Sequence, residues 1–253
     1  MLLSVAAGVI GALLTLLADR DLWLAIQAGG TTFLCWALTR ELDPDRQMSA
    51  LIAAAAGATW VLLDQPTALL PFAGLLLVAR LIVETTGRRP LATDLAAMAT
   101  LATVISVSPL GWVMGFGLAI AIYVDDRLAT EHNRQALLAA MAAGVGSSVA
   151  VTLVGALPSA VPTIRPLFAI IVGLLALIAV GREPVEPISF VDSRNKRFIR
   201  RDRLQAGRSA AGVLIFVGAF VSGDAGPAVV PMAFALLVAL GSSELERIQR
   251  ARL

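Results

Sequence analysis

Nine stretches without a single Asp, Glu, Lys or Arg divide the chain: residues 1–18, 22–39, 47–63, 65–79, 95–124, 135–164, 166–181, 209–223 and 225–243. Apolar residues fill these runs continuously instead of alternating or recurring every third and fourth position, so no amphipathic surface helix or half-buried strand accounts for them. A soluble domain of this length cannot hide so much hydrocarbon. The chain is 58% apolar and 15% charged, against about 45–50% and about 25% in ordinary soluble domains. Lipid is the solvent these runs are built for, and the sequence predicts one all-α integral membrane domain over residues 1–253.

A helix crossing about 30 Å of hydrocarbon needs about 20 residues. The two 30-residue runs are therefore too long for one upright span each. Ser108-Pro109-Leu110-Gly111 interrupts the first near its middle, whereas Gly155-Ala156-Leu157-Pro158 and Pro162 cut the second near its end. Pro and Gly break helices, so the first run reads as a hairpin and the second as a full span plus a loop. About ten helices follow, arranged as hairpins: 2–18, 22–39, 47–63, 67–83, 95–108, 110–124, 136–157, 166–181, 209–222 and 226–242. The N-terminal run has no basic segment before it and reads as a retained first helix.

Basic loops stay on the cytoplasmic side. With ten spans and both termini cytoplasmic, only Arg20 and Arg165 fall outside, while the other eighteen basic residues lie inside, most densely in the loop 182–208. Reading 95–124 as one span would expel that loop. Trp23, Trp60 and Trp112 sit beside the outer turns, where indole prefers the headgroup level. This places the protein in the cell membrane as a multi-pass chain.

An internal repeat is suggested by Ala6-Ala7-Gly8-Val9-Ile10 against Ala210-Ala211-Gly212-Val213-Leu214, and by Glu41-Leu42-Asp43 against Glu244-Leu245-Glu246. Small residues at helical spacing, Ala53 with Gly57 and Ala140 with Gly144 and Ser148, allow close backbone approach. They serve packing within the bundle, a solute groove, or a homo- or hetero-oligomer contact.

Arg80 is the one strongly basic residue inside an apolar run, with Glu84 one turn further on as an i, i+4 partner. A charge in hydrocarbon needs a partner or water, so Arg80 and Glu84 are the candidate solute-binding pair; the alternative is an Arg80 that snorkels to the headgroups. Acids recur at helix ends as Glu41, Asp43 and Asp45, as Asp125 and Asp126, and as Glu244 and Glu246. Such carboxylates can hold magnesium for a lipid diphosphate, but arginines accompany each group and read more simply as solvated loop charge. Residues 191–208 carry seven basic and two acidic side chains among Phe198, Ile199 and Leu204. Arg197, Arg200, Arg201 and Arg203 are the candidates there for binding anionic lipid.

The composition excludes several classes. One cysteine, Cys35, and one histidine, His132, provide neither a metal cluster nor a bis-histidine haem, and the single lysine, Lys196, lies in a loop. No phosphate-binding Gly loop, nucleophile elbow or zinc helix is present, and no aromatic-lined basic groove suggests nucleic acid. No cofactor, catalytic residue or metal ligand is therefore expected. Carriage of a small or amphipathic solute is the leading expectation, with a non-catalytic subunit or scaffold next and a membrane-embedded lipid transferase third.

Overall fold

A computed structural model describes residues 22–63, 65, 67–85, 90–108, 110–129, 132–154, 164–181, 190–192, 197–221 and 223–250. Among them the chain is helical throughout, apart from a short ribbon. The helices are α1 (Leu22–Leu42), α2 (Gln47–Leu62), α3 (Leu69–Val83), α4 (Ala92–Ile105), α5 (Gly111–Leu128), α6 (Arg134–Val154), α7 (Ile164–Val180), α8 (Arg201–Val221) and α9 (Val230–Arg250). A 3-10 turn, Gly223–Val229, links α8 to α9, and strands β1 (Phe190–Asp192) and β2 (Arg197–Phe198) form an antiparallel ribbon before α8. The expected helix 2–18, Arg20, and residues 6–10 of the suggested repeat lie outside the described residues.

Three of these helices, α1, α6 and α8, are long and apolar enough to cross a membrane; α2, α3, α4 and most of α7 and α9 are shorter apolar segments. The 14 residues of α4 rise only about 21 Å. The 95–124 run is indeed broken, because α4 ends at Ile105 and α5 starts at Gly111. Gly111 and Trp112 N–H both donate to the Ser108 carbonyl, closing the turn between the two arms.

At the centre lies α3, packed by α1, α5 and α8, while α9 closes against α1, α2 and α7. One buried apolar cluster runs from Leu38 and Phe72 through Met114 and Ile215 to Leu236; a second joins Val78, Ile82, Ala102, Leu118 and Ile122. The outer helices keep apolar side chains exposed, as Met48 and Ile52 on α2, Leu138 and Leu153 on α6 and Ile178 on α7. Exposed apolar faces on so many helices suit a lipid solvent.

The two small-residue strips separate. Gly57 is buried, and a Cβ on it would lie 2.7 Å from Cys35 Sγ, so the Ala53–Gly57 strip seats α2 on α1. Gly144 has open space around its Cβ position and Ser148 is exposed, so these two residues on α6 look outward, whereas Ala140 packs half-buried against the second cluster. A tighter node joins α4, α5 and α6. A Cβ on Gly115 would come within 2.0 Å of Ser106 Oγ and 2.6 Å of the Ala102 carbonyl oxygen, with Ser147 Oγ at 2.9 Å. Ser106 meanwhile donates to that carbonyl at 2.7 Å, so its hydroxyl is satisfied without water.

The largest departure from the sequence reading is α8, which starts at Arg201 and not near residue 209. The segment 182–208 is thus no plain basic loop. Its last turns are helix, with Arg203, Leu204, Gly207 and Arg208 buried on the same stripe as Ala211, Gly212 and Ile215.

Candidate functional site

The described charged side chains gather at one end of the bundle, at the C-terminal ends of α1, α3 and α5 and the N-terminal ends of α2, α4, α6 and α8. Within this charged end, two arginines on α8 point inward. Arg208 is 2% exposed and donates through Nε to the Leu42 carbonyl at 2.9 Å. Arg203, 3% exposed, donates through Nη1 to the Ile82 carbonyl at 3.1 Å and to Asp125 Oδ1 at 2.7 Å. Both carbonyls belong to last turns, of α1 and α3, where orphan C=O groups and the negative end of the helix dipole attract a cation. The arginines of α8 therefore tie together the ends of α1, α3 and α5.

Glu84 is the third partner of Arg203, with Oε2 3.4 Å from Nε. Nε meets no hydrogen-bond criterion, so this is an ionic contact and not a second hydrogen bond. Glu84 is also the one non-glycine residue with positive φ among the described residues, at φ 59 and ψ 38, where it caps α3 by donating its N–H to the Arg80 carbonyl. Glycine normally fills such a cap. A side chain there costs about 1–2 kcal/mol, and the contact with Arg203 is a physical reason for glutamate to occupy it.

These positions correct two expectations. Arg203 is no lipid-facing residue, because burial and its three protein partners occupy it. The i, i+4 pairing of Arg80 with Glu84 also gives way, since α3 ends at Val83 and the left-handed cap turns Glu84 toward α8. Arg80 instead faces α1, its Nε 3.7 Å from Glu41 Oε1. The separation is beyond hydrogen-bonding range, and Glu41 is largely buried beside Thr85 and Arg40. Along α3 every residue from Pro71 to Val83 is buried or half-buried except Arg80, whose side chain is 51% exposed.

The other acids are individually engaged. Asp43, buried between α1 and α2, accepts from Arg46 at 3.0 Å and from Ser49 at 3.4 Å. Asp126 accepts from the Asn133 N–H at 2.6 Å and lies 3.5 Å from His132, closing the α5–α6 loop. No three acids, histidines or cysteines converge among the described residues. Of the lipid candidates, Arg200 is half-exposed and chelated by Asp202, with Nε to Oδ1 at 3.1 Å. Arg201 is exposed. The side chain of Arg197, like those of Glu244 and Glu246, lies outside the description.

Comparison with known protein families, with curated proteins and with solved structures gives no match.

Proposed function

We propose that the chain is a ten-span protein of the cell membrane, both termini cytoplasmic, that carries a small or amphipathic solute with an anionic or polar group. The observation that carries this reading is Arg80, the one exposed residue of the central helix between Pro71 and Val83, loosely paired with Glu41. Such a pair offers a half-exposed guanidinium to a solute at the mouth of the bundle, and the largely buried Glu41 replaces Glu84 as its counter-charge. Hydrogen bonds to charged groups are each worth about 1.5–3 kcal/mol. Arg80→Gln should therefore cut reconstituted solute uptake about tenfold or more at unchanged folded yield. A folded Arg80→Gln protein with full uptake would sink the transport reading.

A second reading, a non-catalytic subunit of a membrane complex, is favoured by one observation: the outward Gly144 and Ser148 on α6. Small residues facing lipid suit a partner helix. Recovery of full uptake by the isolated chain would count against it.

The ten-span topology puts the charged end in the cytoplasm. Arg127, whose Nε donates to Tyr123 Oη at 2.9 Å at the end of α5, gives the test. With Arg127→Cys and Cys35→Ala, an impermeant thiol reagent should label only from the cytoplasmic side. Labelling from outside alone would refute the hairpin.

Anionic lipids are the proposed partners of the exposed arginines that precede and open α8. The double variant Arg200→Gln, Arg201→Gln should weaken binding to vesicles containing phosphatidylserine, an effect that added salt should mimic. Arg203→Gln should not act through this route, since its guanidinium is enclosed. Equal lipid binding by the double variant would leave the segment as an orientation signal only.

A further inference from the structure

The two carboxylates that hold Arg203 do so unequally. Asp125 on α5 makes a 2.7 Å hydrogen bond, whereas Glu84 at the end of α3 makes the 3.4 Å ionic contact without hydrogen-bond geometry. The weaker arm is also the strained one, because Glu84 stands in the left-handed region. Parting Glu84 from Arg203 does not strand a buried cation, since Asp125 and the Ile82 carbonyl still engage the same guanidinium. Glu84 also lies within electrostatic reach of Arg200, a half-exposed guanidinium. Finally, Glu84 and Arg80 share the last turn of α3, joined by the 3.0 Å bond from the Glu84 N–H to the Arg80 carbonyl.

We propose that the Glu84–Arg203 contact is a latch: it holds the end of α3 against α5 and α8, and its release lets Glu84 leave the left-handed state and frees the turn that carries Arg80. The proposal rests on the transport reading for its purpose, since a carrier must open this end to pass a solute held at the exposed Arg80 into the bundle. Its mechanics are independent of any solute. Strain at one residue and a loose ionic contact oppose each other, so two arrangements of the α3 end lie close in free energy.

The test is thiol accessibility behind the latch. Ile122 on α5 is 1% exposed and belongs to the same buried cluster as Val78 and Ile82. Ile122→Cys, with Cys35→Ala, is reconstituted in vesicles and treated with a membrane-impermeant methanethiosulfonate; Val78→Cys serves as a second reporter. Labelling should rise at least tenfold in Glu84→Gln, which loses the charge and keeps the backbone strain. It should rise less in Glu84→Gly, which loses the contact but sits comfortably in the left-handed state. Unchanged labelling of both reporters in both variants would overturn the latch. Failure of both variants to fold would overturn it too, because a releasable contact must be dispensable for folding. Labelling requires no solute, so a latch without uptake and uptake without a latch give different results.

Discussion

Replacing Arg203 by Met should destabilise the bundle by about 3–5 kcal/mol, the usual cost of removing one partner from a buried ion pair. The loss is large because it falls on what remains. Asp125 and Glu84, with side chains 15% and 13% exposed, keep their charges in a site with little water, and the Ile82 carbonyl loses a donor. Even 3 kcal/mol is more than a hundredfold in the ratio of folded to unfolded protein. Unfolding of the micelle-bound protein by added sodium dodecyl sulfate, followed by circular dichroism, measures it. The triple variant Arg203→Met, Glu84→Gln, Asp125→Leu should recover most of the stability, because exchanging an entire buried charge cluster for neutral groups is often neutral or favourable. A single variant as stable as the wild type would show that the three groups are already hydrated in the native bundle.

Gly115→Leu should be the most damaging of the uncharged substitutions, although no charge or hydrogen bond is removed. Any Cβ at this position meets the Ala102 backbone carbonyl at 2.6 Å, a group that cannot swing away as a side-chain tip can. The Ser106 and Ser147 hydroxyls close the same space from α4 and α6. Relief requires α5 to move off two helices at once, and overpacking of this kind costs about 1–3 kcal/mol or more. Gly144→Leu is the matched control on α6, since nothing lies near its Cβ position, and it should leave stability unchanged. Thermal melts of the two purified variants in one detergent make the comparison. Similar melting temperatures would mean that the α4–α5–α6 node is looser than its geometry.

Much of the fold is legible in the chain because a simple rule serves so apolar a sequence: apolar runs become helices, and charges and breakers mark their ends. The described helices from α1 to α9 each fall on an apolar run, and the Ser108–Gly111 break separates α4 from α5 as the Pro and Gly there require. The same rule misplaced the start of α8, because it treats every charge as loop. A finer signal was present. Leu204, Gly207, Ala211, Gly212 and Ile215 form a buried stripe at helical spacing that runs back past the first arginines. Following it would have put Arg203 and Arg208 on the inner face and Arg201 and Asp202 on the outer one.

The partners of those charges were not legible. Glu84 is one turn from Arg80 in sequence, yet the left-handed cap sends it to Arg203, which is 119 residues away along the chain (203 − 84). Arg80 meets Glu41 from another helix. Helical spacing predicts contacts only while the helix lasts, and both departures occur where α1 and α3 end. The sequence by itself determined an all-helical chain built of apolar runs, the breaks between them, and the concentration of charge at particular helix ends. Those properties depend on local composition and on transfer free energy, which act residue by residue. Only the tertiary structure decided which charges are buried, which carboxylate each arginine meets, and which of two similar small-residue strips faces inward. Those outcomes depend on which helices lie side by side, and side-by-side packing is set by contacts between residues far apart in the chain.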